Sequence, residues 1–198
     1  MPRRGGGSSG LLNSPASGFK NPKSVLRPAA SKRPVRIHNG NLKLRLDRRA
    51  IAAVIHALDA SAAEILGPSP LGSRLPAPWG VPPGELSIAF LTDAAQARLH
   101  ASFLDDPSPT DVITFEGTPA LAQAGEICVS ADTARTFAAG HRRDFAEELT
   151  LYVVHGWLHL AGHDDRQPVF KKRMRAAEAR ALALLRARRL IPKFTVTG

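Results

Sequence analysis

Apolar residues recur along this chain with two different periods, and each change of period marks an element. Leu42, Leu44 and Leu46 alternate with Lys43 and Arg45 after the turn-forming Asn39-Gly40-Asn41, the pattern of a half-buried strand over residues 42–46. Asp47 is placed to cap a helix over 48–66, in which Ile51, Val54, Ile55, Leu58 and Ile65 fall at helical spacing. Residues 67–84 hold six prolines and read as a long surface loop. A second strand is expected over 85–92, then a helix over 93–104 capped by Asp93 and broken by the prolines that follow. Two more strands, over 112–116 and 126–130, are joined by a Gly/Pro/Ala linker that suits a hairpin or a wider connection. Helices over 131–139, 144–160 and 168–190 complete the pattern. The order predicts an α+β domain, with a small mixed β-sheet of about four strands and about five helices. The helix over 144–160 carries Leu149, Val153, Val154, Trp157, Leu158 and Leu160 round most of its circumference, so it belongs at the centre.

Length and composition change this picture mainly at the ends. With 198 residues, 43% of them hydrophobic, the chain can build one cored domain, expected over 37–192. Residues 1–36 are rich in Gly, Ser, Pro and Lys/Arg, bury too little to offset their ordering entropy, and read as a disordered basic tail. No apolar run reaches the roughly 20 residues of a bilayer span, and no secretory leader opens the chain, so a soluble cytoplasmic protein without membrane contact is expected. The tail's Ser content and lack of acids also resemble an organellar transit peptide. Cys128 is the one cysteine, which excludes a disulfide framework or a Cys-rich zinc site.

The net charge of +10 is unevenly spread. Residues 1–46 hold ten Lys/Arg and no acid, residues 47–165 hold seven basic against sixteen acidic side chains, and residues 166–198 hold ten basic against Glu178 alone. Two basic arms round an acidic middle suit a polyanionic partner such as RNA.

The candidate chemistry lies where the apolar helix carries two imidazoles. His155 and His159 are four apart, so they stand on one face of the helix, and burying two imidazoles there is costly without a common partner. Gly162 is placed to end the helix in a left-handed turn that brings Asp165 back toward the pair. His155, His159 and Asp165 thus make three ligands with a fourth position open, the arrangement of a catalytic zinc, one ion per chain. Gly156 stands where the peptidase pattern H-E-x-x-H has its general base, which argues against a peptidase and suggests that a neighbouring backbone or a substrate needs the space.

The string His155-Gly-Trp-Leu-His159-Leu-Ala-Gly162-His163-Asp164-Asp165 resembles H-G-x-L-H-L-x-G-x-D-H of the YbeY family of endoribonucleases. Residues 109–115, PTDVITF, are similar to that family's P-T-D-V-L-S-F, and residues 125–130, GEICVS, to its G-D-I-V-I-S. The resemblance implies a metal-dependent endoribonuclease specific for single strands, acting in 16S rRNA 3′-end maturation and ribosome quality control, with the ribosome or its small subunit as partner. It implies zinc on His155, His159 and the third position, where the family's His is replaced by Asp165. His163, two residues earlier, is the other donor for that place. The candidate catalytic residues are His155, His163 and Asp164, the last two for proton transfer, with Asp164 alternatively orienting a ligand. Thr110 and Asp111 are expected to border the cleft. The family's Arg after L-N-x-x-[YF] falls on Leu104, which leaves Arg98, Arg142 or Arg143 to supply a guanidinium, and the basic helix over 168–190 is a candidate wall for an RNA groove. Two other functions fit the same residues: a zinc hydrolase of another class, and a ribosome-associated RNA-binding factor with weak or no cleavage.

Overall fold

The computed structural model describes residues 32–67, 80–104 and 110–197. The prolines at 68–78, the break at 105–109 and all but the end of the expected tail lie outside them. The strands are β1 (Val35–Asn39), β2 (Leu44–Leu46), β3 (Glu85–Leu91), β4 (Val112–Glu116), β5 (Gln123–Ser130) and β6 (Phe194–Val196). The helices are α1 (Arg48–Ala60), α2 (Ala62–Leu66), α3 (Asp93–Leu104), α4 (Ala131–His141), α5 (Phe145–Leu160) and α6 (Pro168–Ala187). The fold is α+β, as the pattern predicts. Its four-stranded sheet is mixed and runs β1-β3-β5-β4: β1, β3 and β5 are parallel, and β4 returns antiparallel along β5 as a hairpin.

Three details differ from the reading of the pattern. The expected first strand, at β2, lies outside the main sheet and pairs with β6, while the edge strand is the earlier β1, whose Val35 begins ahead of residue 37. The helix expected over 48–66 is interrupted at Ser61. Thr92, not Asp93, caps α3, its Oγ1 accepting from the Ala95 N–H at 3.2 Å. Asp93 is taken up elsewhere, accepting from the Ser130 hydroxyl and from Thr133 Oγ1 at 2.7 Å, so it ties α3 to the start of α4.

Alternation in the strands sorts two cores. Leu86, Ile88 and Phe90 of β3 and Ile127 and Val129 of β5 join the main core with α1, α5 and α6, whereas Ala89, Cys128 and Ile113 face a smaller one with Leu99 of α3. Burial pushes the Cys128 thiol up to about 12, with Glu126 adding to it, which leaves it inert. Asp47 caps α1 through the Arg49 and Ala50 N–H groups, and Asp144 caps α5 through that of Glu147. Helix α5 packs against α4, α6, β4 and β5, the central position its apolar circumference requires. A Cβ on Gly156 would lie 2.4 Å from Ile127 Cγ2 and 3.2 Å from Val112 Cγ1, so the space at Gly156 is filled by side chains of the sheet and not by substrate. No described helix is long and apolar enough to cross a membrane.

Candidate metal centre

One turn of α5 separates His155 from His159, and packing of the rest of the helix fixes where both imidazoles point. After Leu160 the chain turns through Gly162 at φ +92°. The Gly162 N–H reaches the His159 carbonyl at 2.8 Å and the His163 N–H reaches that of Leu158 at 2.9 Å, the paired bonds of a Schellman motif. Asp164 then clamps the return: its Oδ1 accepts from the N–H groups of Asp165 at 2.7 Å and Arg166 at 3.1 Å. Those two bonds hold the Asp164 carboxyl below the usual carboxylate range.

The turn delivers Asp165 to the histidine pair. Donor atoms of His155, His159 and Asp165 all lie within 4.8 Å of one another. The two Nε2 atoms are 2.9 Å apart, and the Asp165 carboxylate oxygens stand 3.9 Å from that of His155 and 4.0 Å from that of His159. Two donors of one zinc, each about 2.0–2.2 Å from it, span at most roughly 4.2 Å, so all three separations suit a common ion.

The far side of each ring decides the tautomer. His155 Nδ1 meets Glu178 Oε1 of α6 at 2.7 Å, and His159 Nδ1 meets the His163 carbonyl oxygen at 3.0 Å. Ionised carboxylates and carbonyls only accept, so both Nδ1 atoms carry the proton and both Nε2 lone pairs face each other. At 2.9 Å such lone pairs repel unless a proton or a cation stands between them. Burial lowers the proton affinity of His155, but the Glu178 hydrogen bond and the Glu178, Asp111 and Asp165 charges outweigh it and raise its pKa. His159 is lowered by burial and then by His155, and His163 by burial and then by Arg180.

Of the residues singled out from sequence, His155, His159 and Asp165 come together. The His163 imidazole is outside that group and contributes its carbonyl, while Asp164 contacts backbone. Thr110, Asp111, His155, Asp165 and Glu178 line a cleft of about 860 Å³ together with Arg143, Lys171 and Arg175. Arg143 is thus the one of the three candidate arginines that lines it, and α6 forms a wall. Sequence reasoning missed Glu178 as the partner of His155, although its standing as the one acid among ten cations was a signal.

Residues 47–186 match the sequence model of the family described as Endoribonuclease YbeY. An endoribonuclease YbeY of Chlamydia abortus is 38% identical over 116 residues, covering 54% of this chain and 73% of the relative. That of Parabacteroides distasonis is 36% identical over 107 residues, covering 54% and 75%. The solution structure of TM1509 from Thermotoga maritima superposes with a TM-score of 0.48 at 19% identity, covering 79% of this chain and 94% of that one.

Proposed function

The chain belongs to the endoribonuclease YbeY family, and from that premise we propose that it is a zinc-dependent hydrolase cutting single-stranded RNA in 16S rRNA 3′-end maturation and ribosome quality control. The observation that carries the metal part is the pair of Nε2 lone pairs turned toward each other beside Asp165. Imidazole nitrogen with one carboxylate is a donor set that suits zinc, and three such donors leave a position open for chemistry. When bound, the ion supplies Lewis acidity toward a phosphoryl oxygen or an attacking water.

The chain's own residues prepare that site. Glu178 and the His163 carbonyl hold the protons of His155 and His159 on Nδ1, so both Nε2 atoms stay available as donors. Asp164 accepts from the Asp165 and Arg166 N–H groups, which supports a positioning role for it. His163 remains the group proposed for proton transfer. Arg143 offers the guanidinium that Leu104 does not, and Lys171 and Arg175 present cations to the phosphates of a strand in the cleft.

The test is incubation of the purified chain with single-stranded RNA, with and without chelator, beside His159→Ala. Cleavage abolished by chelation, restored by zinc and absent in His159→Ala is expected. Cleavage indifferent to both treatments would sink the metallonuclease, and RNA binding without cleavage under all conditions would favour the binding factor.

A further inference from the structure

The cleft beside the histidines also carries an aromatic surface for which metal chemistry has no use. Phe137 is 37% exposed and belongs to neither core, although it stands on α4 next to the buried Ala134 and Ala138. Its ring stacks on the His141 imidazole, with centroids 3.9 Å apart and planes at 20°, and the Arg143 guanidinium lies 5.5 Å over the ring centroid. The backbone builds this arrangement. Helix α4 ends at Arg142 in the left-handed region, φ +54°, which non-glycine residues seldom adopt. The Arg143 N–H then bonds the Ala138 carbonyl at 2.8 Å, folding the chain back on the last turn, and buried Glu148 holds the guanidinium at 3.2 Å.

Phe137 and Arg143 line the same cleft as His155 and Asp165, with Lys171 and Arg175 of α6 among the other lining residues. Four acids line the cleft: Glu148 pairs with Arg143, Glu178 bonds His155, Asp165 faces the histidine pair and Asp111 accepts from the Val112 N–H. Lys171 and Arg175 line the cleft and make no ion pair among the described residues, which leaves two cations to meet an anionic backbone. A partly exposed aromatic ring with a guanidinium over it, beside cations that have no acidic partner, is a combination by which proteins hold unpaired bases while contacting the backbone.

We infer that Phe137, with His141 and Arg143, forms a stacking subsite for one unpaired nucleobase of an RNA strand whose phosphates meet Lys171 and Arg175. The inference rests on the nuclease reading above and deepens it, since a duplex, whose bases are already stacked and paired, cannot present a free base face to such a surface.

Binding is measured with the full-length zinc-loaded chain and 2′-O-methyl oligoribonucleotides, which resist cleavage through the 2′-hydroxyl, with 2-aminopurine placed along the strand. Quenching at one position is expected, and Phe137→Ala should abolish it and weaken single-strand binding roughly 5- to 100-fold. Phe137→Tyr should restore both, and Phe137→Leu, which keeps apolar volume without a π-face, should not. An abasic residue at the quenched position should cost the wild type a similar factor and cost Phe137→Ala nothing more. Equal binding by Phe137→Ala, or an abasic penalty that survives in it, overturns the subsite. If the wild type still cleaves RNA with metal in that case, the nuclease reading stands and this inference alone falls. A wild type that binds no single strand overturns both.

Discussion

Gly156→Ala sets two opposed effects against each other inside the helix that carries both histidines. Helix propensity alone favours alanine by about 1 kcal/mol, since glycine loses more backbone freedom on folding. The structure opposes this, because the new Cβ would stand 2.4 Å from Ile127 Cγ2 and 3.3 Å from its Cγ1, against ordinary carbon contacts of about 3.5–4.0 Å. Ile127 is fully buried in β5 and β-branched, so its χ1 has little freedom to swing the methyl aside. Relief must come from moving α5 away from the sheet, and overpacking of this kind costs about 1–3 kcal/mol, with a contact this short toward the upper end. The net expectation is a destabilisation of about 1–2 kcal/mol, or a fall in Tm of roughly 2–8 °C for a domain of this size. Thermal and urea unfolding of the variant measure it. Combining Gly156→Ala with Ile127→Ala removes the colliding methyl, so the double variant should be less destabilised than the sum of the singles. A Gly156→Ala protein more stable than wild type would show that propensity governs the position and that the close approach of α5 to the sheet is not what requires glycine.

The remaining expectations concern the ligands. Glu178→Ala frees His155 Nδ1 and should weaken zinc affinity about 10- to 100-fold in a chelator-dye competition, with Glu178→Gln losing less because its amide oxygen still accepts. Unchanged affinity in both variants would remove Glu178 from the site. Asp165→Ala leaves two imidazoles and should lose bound zinc in metal analysis; full retention would remove Asp165 as a ligand. Zinc affinity should fall as pH falls, because metal and proton compete for Nε2. The raised pKa of His155 starts that competition above the ordinary value of 6.5, and Glu178→Gln should move it to lower pH. A profile flat across roughly pH 5 to 8 contradicts the proton placement.

Elements with a strong local period were legible in the sequence, and those defined by distant partners were not. The α1 stripe, the apolar circumference of α5, the Asp47 cap and the Gly162 turn follow from local rules, because each is satisfied within a few residues. Strand β1 is five residues next to a basic, glycine-rich tail, and what makes it a strand is its pairing with β3 some fifty residues on. The same holds for β2, whose alternation was clear but whose partner is β6 at the far end of the chain. Asp93 looked like a cap because aspartate favours that role, and the Ser130 and Thr133 hydroxyls, more than thirty-five residues away, decided otherwise.

The site divides along the same line, and the division says something about how it is built. His155, His159 and Asp165 come from one stretch of eleven residues, so their convergence needs only a helix, a left-handed turn and the Asp164 clamp. The His163 carbonyl inside that stretch sets the proton of His159, and the rest of the arrangement comes from further off. Glu178 reaches His155 from α6, and Arg143, Lys171 and Arg175 bring their charge from outside the motif. The motif therefore encodes the donors and, through the His163 carbonyl, the proton position of His159, while the packing of α6 on α5 encodes that of His155. A chain that kept the eleven residues but lost that packing would keep two imidazoles in place with Nδ1 of His155 unanchored, and its zinc affinity should approach that of Glu178→Ala.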